Sequence, residues 1–201
     1  MKKLLLIVSF LLYSAVSFSQ YSFQEWHKGY LVTTQKDTLS GQINYNMETN
    51  SVSIQLPSEQ VRAFSAYKLL YFEFFDRVLK SYRQFYTIPY KLRTQYETPI
   101  IFELLYEGNL SLVAREKIVQ NTTSMSNWGM AGPQITQNVL EYDYFFLTRK
   151  GRIIRYNGSK SNLYDIMRDK KEVVKSFIKQ NKLKPDVMRD LIRITSFYNA
   201  I

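Results

Sequence analysis

Residues 28–45 read KGYLVTTQKDTLSGQINY. Residues 28–34 (KGYLVTT) and 38–45 (TLSGQINY) are rich in β-branched, aromatic and alternating side chains. The polar Gln35-Lys36-Asp37 lies between them. Two strand-forming runs around a short polar turn predict a β-hairpin. The same grammar continues outward. Residues 46–50 form the next turn, and residues 51–56 (SVSIQL) alternate polar and apolar as a half-buried strand does. Pro57-Ser58-Glu59 interrupts, residues 61–64 resume briefly, and residues 68–75 (KLLYFEFF) form a denser run. Asp76-Arg77 reads as a hairpin tip leading into residues 78–88. Residues 99–106 and 110–119 flank Glu107-Gly108-Asn109, and residues 141–148 and 152–156 flank Arg149-Lys150-Gly151. This predicts eight to ten strands.

The period then changes. Leu163, Ile166, Met167, Val174, Phe177 and Ile178 recur at helical spacing with lysines opposite, and Ser161 or Asn162 can cap the start. Leu183-Lys184-Pro185 ends that helix, and Pro185 suits the first turn of a second one. Val187, Met188, Leu191, Ile192, Thr195 and Tyr198 form the second stripe. The fold expected is α+β. An antiparallel β-rich body over residues 20–158 is followed by a helical hairpin over residues 159–201, packed on or beside it. Residues 119–138 (VQNTTSMSNWGMAGPQITQN) carry no charge and read as a loosely packed polar loop, with Trp128 as a candidate contact residue.

The first 19 residues read as an address. Lys2 and Lys3 precede the apolar residues 4–16, and Ser17 and Ser19 occupy the small positions before a cut at Gln20. The apolar run is shorter than the ~20 residues a spanning helix needs. Residues 1–19 are therefore expected to be a signal peptide. The expected destination is the periplasm, the outer-membrane surface or the extracellular space.

Composition excludes several chemistries. The chain has 201 residues, no cysteine and a single histidine, His27. Disulfides, thiolate metal sites, thiol nucleophiles and two-histidine metal sites are thereby ruled out within one chain. Neither G-x-S-x-G nor a glycine-rich phosphate loop is present. No catalytic residue, metal ligand or cofactor is assigned. Glu141 and Asp143, two apart on a strand, face one side about 7 Å apart, a spacing compatible with paired-carboxylate glycoside chemistry. Sixteen tyrosines and thirteen phenylalanines suit cross-strand packing, and tyrosine also suits glycan or peptide recognition.

Charge is distributed unevenly. Residues 20–149 hold 12 basic and 12 acidic side chains, whereas residues 150–201 hold 13 and 5, a local excess of +8. Such a field attracts anions. Lys170, Lys171, Lys175, Lys179, Lys182 and Arg189 are the candidate contacts. The partners expected are anionic envelope components (lipopolysaccharide, acidic glycan or anionic lipid) or another envelope protein. Export argues against nucleic acid.

Gly29-Tyr30-Leu31-Val32-Thr33 followed by Asp37-Thr38-Leu39-Ser40-Gly41-Gln42-Ile43 resembles the start of a group of exported Bacteroidota proteins. Phe102-Glu103-Leu104-Leu105-Tyr106-Glu107-Gly108, Tyr144-Phe145-Phe146-Leu147 and the closing Tyr198-Asn199 are similar as well. The resemblance implies an envelope location and a β body before helices, and it carries over no catalytic residue. The function expected is a non-enzymatic binding or structural protein of the envelope. The alternatives are a small outer-membrane β-barrel and a glycan-acting enzyme using the paired carboxylates.

Overall fold

The computed structural model describes residues 25–92, 96–124 and 134–201. The expected signal peptide lies outside them. Ten antiparallel strands form one sheet: β1 (His27–Thr33), β2 (Thr38–Asn46), β3 (Ser51–Gln55), β4 (Val61–Ser65), β5 (Leu69–Asp76), β6 (Ser81–Tyr90), β7 (Thr98–Tyr106), β8 (Leu110–Ser124), β9 (Gln134–Thr148) and β10 (Ile153–Tyr156). Three helices follow: α1 (Lys160–Ile166), α2 (Lys171–Gln180) and α3 (Met188–Ala200). Among the described residues no helix is long and apolar enough to cross a membrane.

The strand order is β10-β9-β8-β7-β6-β5-β1-β2-β3-β4. Every neighbouring pair but one is a sequential hairpin partner. The exception is β1 with β5, which joins two meanders into one sheet. Gly29 lies at that junction, where a β-carbon would sit 2.1 Å from the Glu73 carbonyl oxygen. A side chain there would push β1 and β5 apart. The ends of the sheet, β4 and β10, are not paired with each other. Among the described residues the sheet is therefore open at β4 and β10.

The sheet curls because its two halves bury facing apolar surfaces. Leu31, Ile43 and Ile54 from the first meander pack with Phe72, Phe85 and Ile101 from the second, and the Tyr45 ring lies 5.5 Å from Phe72 and 5.1 Å from Phe85. Asn50 closes the seam. Its side-chain amide donates to the Pro99 carbonyl and accepts from the Ile101 N–H, both at 3.0 Å. It supplies β7 with the pair of bonds that a neighbouring strand would have made. β7 needs them because its partner β8 pairs only with Glu103, Leu104 and Tyr106.

A second core lies between the sheet and the helices. Leu112, Phe146 and Tyr156 meet Leu163, Met167, Val174, Leu191 and Ile194. Phe177 of α2 stacks on Phe197 of α3 at 3.9 Å. A third cluster on the opposite face of the sheet contains Phe102, Val113 and Phe145. The strict alternation of Phe145 and Phe146 between two buried faces follows from the two-residue period of β9.

Two expectations are corrected. Residues 119–138 are not a loop throughout. β8 and β9 stay in register from Leu110↔Thr148 to Ser124↔Gln134, so residues 119–124 and 134–138 are strand. A polar two-stranded ribbon keeps its backbone bonded without an apolar face, which is why its composition resembles a loop. The first helix expected before residue 183 is two helices, divided at Met167 and a 3-10 turn over Arg168–Lys170. Its cap is Ser159, whose hydroxyl accepts from the Asn162 N–H at 3.2 Å, rather than Ser161 or Asn162.

The seam can be tested at Asn50, whose φ of +53° favours glycine. Asn50→Gly should nevertheless destabilise the protein, by about 1–3 kcal/mol, because the Pro99 and Ile101 backbone groups lose their partners. Denaturant midpoints would check this. A neutral or stabilised variant would show that the seam contributes nothing.

Candidate functional site

The C-terminal helices carry the charge anticipated from the sequence. On α2, Val174 and Ile178 are buried while Lys171, Lys175 and Lys179 are exposed. Their four-residue spacing sets the three lysines in a row on the solvent side. Lys182, in the turn after α2, is exposed as well. Arg189 on α3 has a side chain 82% exposed, despite its 3.4 Å contact with Asp190. Lys175 has one weak counterion, Glu172 at 3.9 Å. Arg193, one turn beyond Arg189, and Lys184 are exposed too. Both extend the basic surface beyond the residues expected from the sequence.

Lys170 does not belong to this face. Its ammonium donates to the Tyr198 carbonyl at 3.1 Å and to the Ile201 carbonyl, and it lies 4.8 Å from the Tyr198 ring centre. It caps the C-terminus of α3, where unpaired carbonyls attract a cation. Trp128 lies outside the described residues.

The paired carboxylates are occupied by cations. Lys117 reaches Asp143 at 3.0 Å and Glu141 at 3.5 Å, and Arg155 reaches Asp143 at 3.4 Å. One ammonium is thus shared between the two acids. His27 stacks on Phe74 at 4.6 Å. Among the described residues, no group of three His, Asp or Glu side chains is placed to hold a metal ion.

The main polar feature missed at the sequence level is internal. Arg83 of β6 makes a bidentate pair with Glu103 of β7, both bonds at 2.7 Å, and a further bond to Glu116 of β8. Asp76 of β5 lies 3.6 Å away, and the Tyr142 hydroxyl of β9 donates to Glu116 at 3.3 Å. Phe74 and Phe85 pack against the guanidinium. Burial opposes the charge on Arg83, but the hydrogen bonds and charges of Glu103 and Glu116 outweigh it and hold the guanidinium firmly protonated. Burial raises the Glu103 carboxyl above its ordinary range. Arg83 pulls it down, while Glu116 and Asp76 push it further up.

Tyrosines form the outer surface of the same strands. Tyr30, Tyr71 and Tyr86 pack side by side across β1, β5 and β6, at 6.0 and 5.6 Å between ring centres. Tyr30 meets Tyr71 edge to face and Tyr71 stacks on Tyr86, the cross-strand packing that the aromatic content suits. Comparison of the chain with protein-family profiles, curated proteins and solved structures finds no match.

Arg83→Met should cost about 3–5 kcal/mol by chemical denaturation at neutral pH, because it strands buried acids. Adding Glu103→Gln and Glu116→Gln to it should restore part of that loss. The pH response has a definite sign. A carboxyl raised on folding contributes stability that is fully present below its ordinary pKa and is lost as pH rises through its raised value. Relative to wild type, Glu103→Gln should therefore gain stability as pH rises from about 4 to 7. A difference constant across that window would overturn the assignment.

Proposed function

We propose that the protein is an exported, non-enzymatic component of the bacterial cell envelope that docks on anionic, phosphate-bearing surfaces through α2 and α3. The observation that carries this reading is the exposed row Lys171, Lys175 and Lys179, continued by Lys182, Arg189 and Arg193. The helices that bear it are anchored to the sheet through a buried core, so the charges are held on a fixed surface. Fixed charges on one face raise the local concentration of anions, and salt weakens them. The leader-like residues 1–19 and the likeness to exported Bacteroidota proteins support the location.

Each basic residue near an anionic membrane is worth roughly 1 kcal/mol, so losing three lysines lowers affinity about a hundredfold. Lys171→Glu, Lys175→Glu and Lys179→Glu together should abolish co-sedimentation with phosphatidylglycerol vesicles at low salt. The wild-type protein should release these vesicles at high salt and ignore phosphatidylcholine vesicles throughout. Equal sedimentation of wild type and variant would remove this reading.

A further inference from the structure

A cleft of about 450 Å³ opens where β10 ends beside β9, facing the turn that precedes α3. Its walls include Tyr142, Tyr144 and Tyr156, with Asp143, Arg155 and Asp186 among them. We infer that this cleft is a binding site for a neutral sugar unit, distinct from the basic helical face.

The first argument is an unmet hydrogen bond. Tyr156 is only 4% exposed, and among the described residues its hydroxyl has no partner. A buried hydroxyl left unpaired is destabilising, and native proteins rarely keep one without a water or a ligand. Tyr156 and Asp186 both line the cleft. Burial first, then Asp186 and Tyr164, push the pKa of the Tyr156 hydroxyl up to about 12, so it remains a donor at every physiological pH.

The second argument is the wall chemistry. Tyr142 and Tyr144 project from the same face of β9, with rings 6.3 Å apart and within 13° of parallel. Such rings offer apolar surface to the C–H face of a pyranose. Asp143, between them on the strand, projects from the opposite face of β9 and also lines the cleft. Asp143 receives Lys117 and Arg155 through Oδ1, and its other oxygen accepts no protein hydrogen bond among the described residues. Asp186 is exposed at the rim.

The third argument is charge. An anionic ligand would meet Asp143 and Asp186. A cationic one would compete with Lys117 and Arg155, which already neutralise Asp143. A neutral ligand with many hydroxyls meets neither penalty. The volume lies within the range of small-molecule sites, which are mostly apolar with a few placed polar groups. Glu141 does not line the cleft.

The test uses the purified protein and neutral hexaoses of glucose, mannose, xylose and N-acetylglucosamine, titrated calorimetrically at low and high salt. At least one should bind, with an affinity that salt leaves unchanged. Tyr156→Phe removes only the hydroxyl. It should weaken that binding about tenfold while thermal stability holds or rises. Asp186→Asn at the rim should also weaken it. Lys171→Glu, Lys175→Glu and Lys179→Glu together should leave it intact, so failure of the basic face and failure of the cleft are read separately. The inference is overturned if no hexaose binds, if Tyr156→Phe and Asp186→Asn bind as wild type does, or if binding disappears at high salt.

Discussion

Arg83 is the point on which the arrangement of this sheet turns. A guanidinium placed among Phe74 and Phe85 must be matched by acids, and those acids come from neighbouring strands: Asp76 of β5, Glu103 of β7 and Glu116 of β8. Glu103 lies in the short stretch where β7 and β8 remain paired, and Glu116 lies just beyond it. The ion cluster therefore bridges the place where backbone pairing stops. It holds the β8–β9 ribbon against the curl when the ladder no longer can. Tyr142, bonded to Glu116, passes that constraint to β9 and fixes one wall of the cleft at the other end of the same side chain. A buried ion network is weak evidence of net stabilisation but commonly specifies one arrangement over another. Here the competing arrangement is a ribbon that swings free.

Two asparagines solve a related problem at the open edges. Asn50 satisfies the unpaired backbone of β7, and Asn199 does the same for the start of β8. The Leu110 N–H donates to Asn199 Oδ1, and Asn199 Nδ2 donates to the Leu110 carbonyl, each at 3.0 Å. A primary amide carries a donor and an acceptor side by side, so it can imitate the edge of a strand. Gly108 makes room for the second clamp, since a β-carbon there would lie 2.6 Å from Asn199 Oδ1. The glycine of the β7–β8 turn and the asparagine near the chain's end are thus two halves of one contact, which anchors α3 to the sheet.

The strands and helices were readable because their burial has a period. KGYLVTT and TLSGQINY fall on β1 and β2, and KLLYFEFF falls on β5, with Phe72 and Phe74 buried and Tyr71, Glu73 and Phe75 half-exposed. Features without periodicity were hidden. Glu103 sits within TPIIFELLY, where period alone cannot say whether a lone acid faces solvent or a buried cation. That becomes clear only once register brings Arg83 near it. The outer half of the ribbon looked like a loop because it is polar on both faces. Lys170 was grouped with the basic face by composition, whereas its role is set by where α3 ends. The cleft was equally out of reach, since it joins residues of β9 and β10 to Asp186 across a turn. Among its walls, the sequence marks Asp143 as one of the paired carboxylates and Tyr144 within a resembling stretch, and nothing joins the two to Asp186.

The charge segregation follows from the same pairing. The body holds as many acids as bases by count, but Asp76, Glu103 and Glu116 are spent on Arg83, and Glu141 and Asp143 share Lys117. The remaining acids of the body belong to its strands and turns, whereas the basic excess is confined to residues 150–201. The basic residues of α2 and α3, by contrast, lie on the solvent side with few counterions, because their apolar face is fully used against Leu112 and Phe146. A charge count over the whole chain therefore understates the local potential at these helices, because the excess is concentrated in the last 52 residues. The fold separates the basic helical face from the strand-end cleft physically. A salt-sensitive field lies over the helices, and a shaped, charge-balanced cleft lies at the strand ends. A ligand held in the cleft by ring faces and hydroxyl bonds would be indifferent to the ionic strength that governs the helical face.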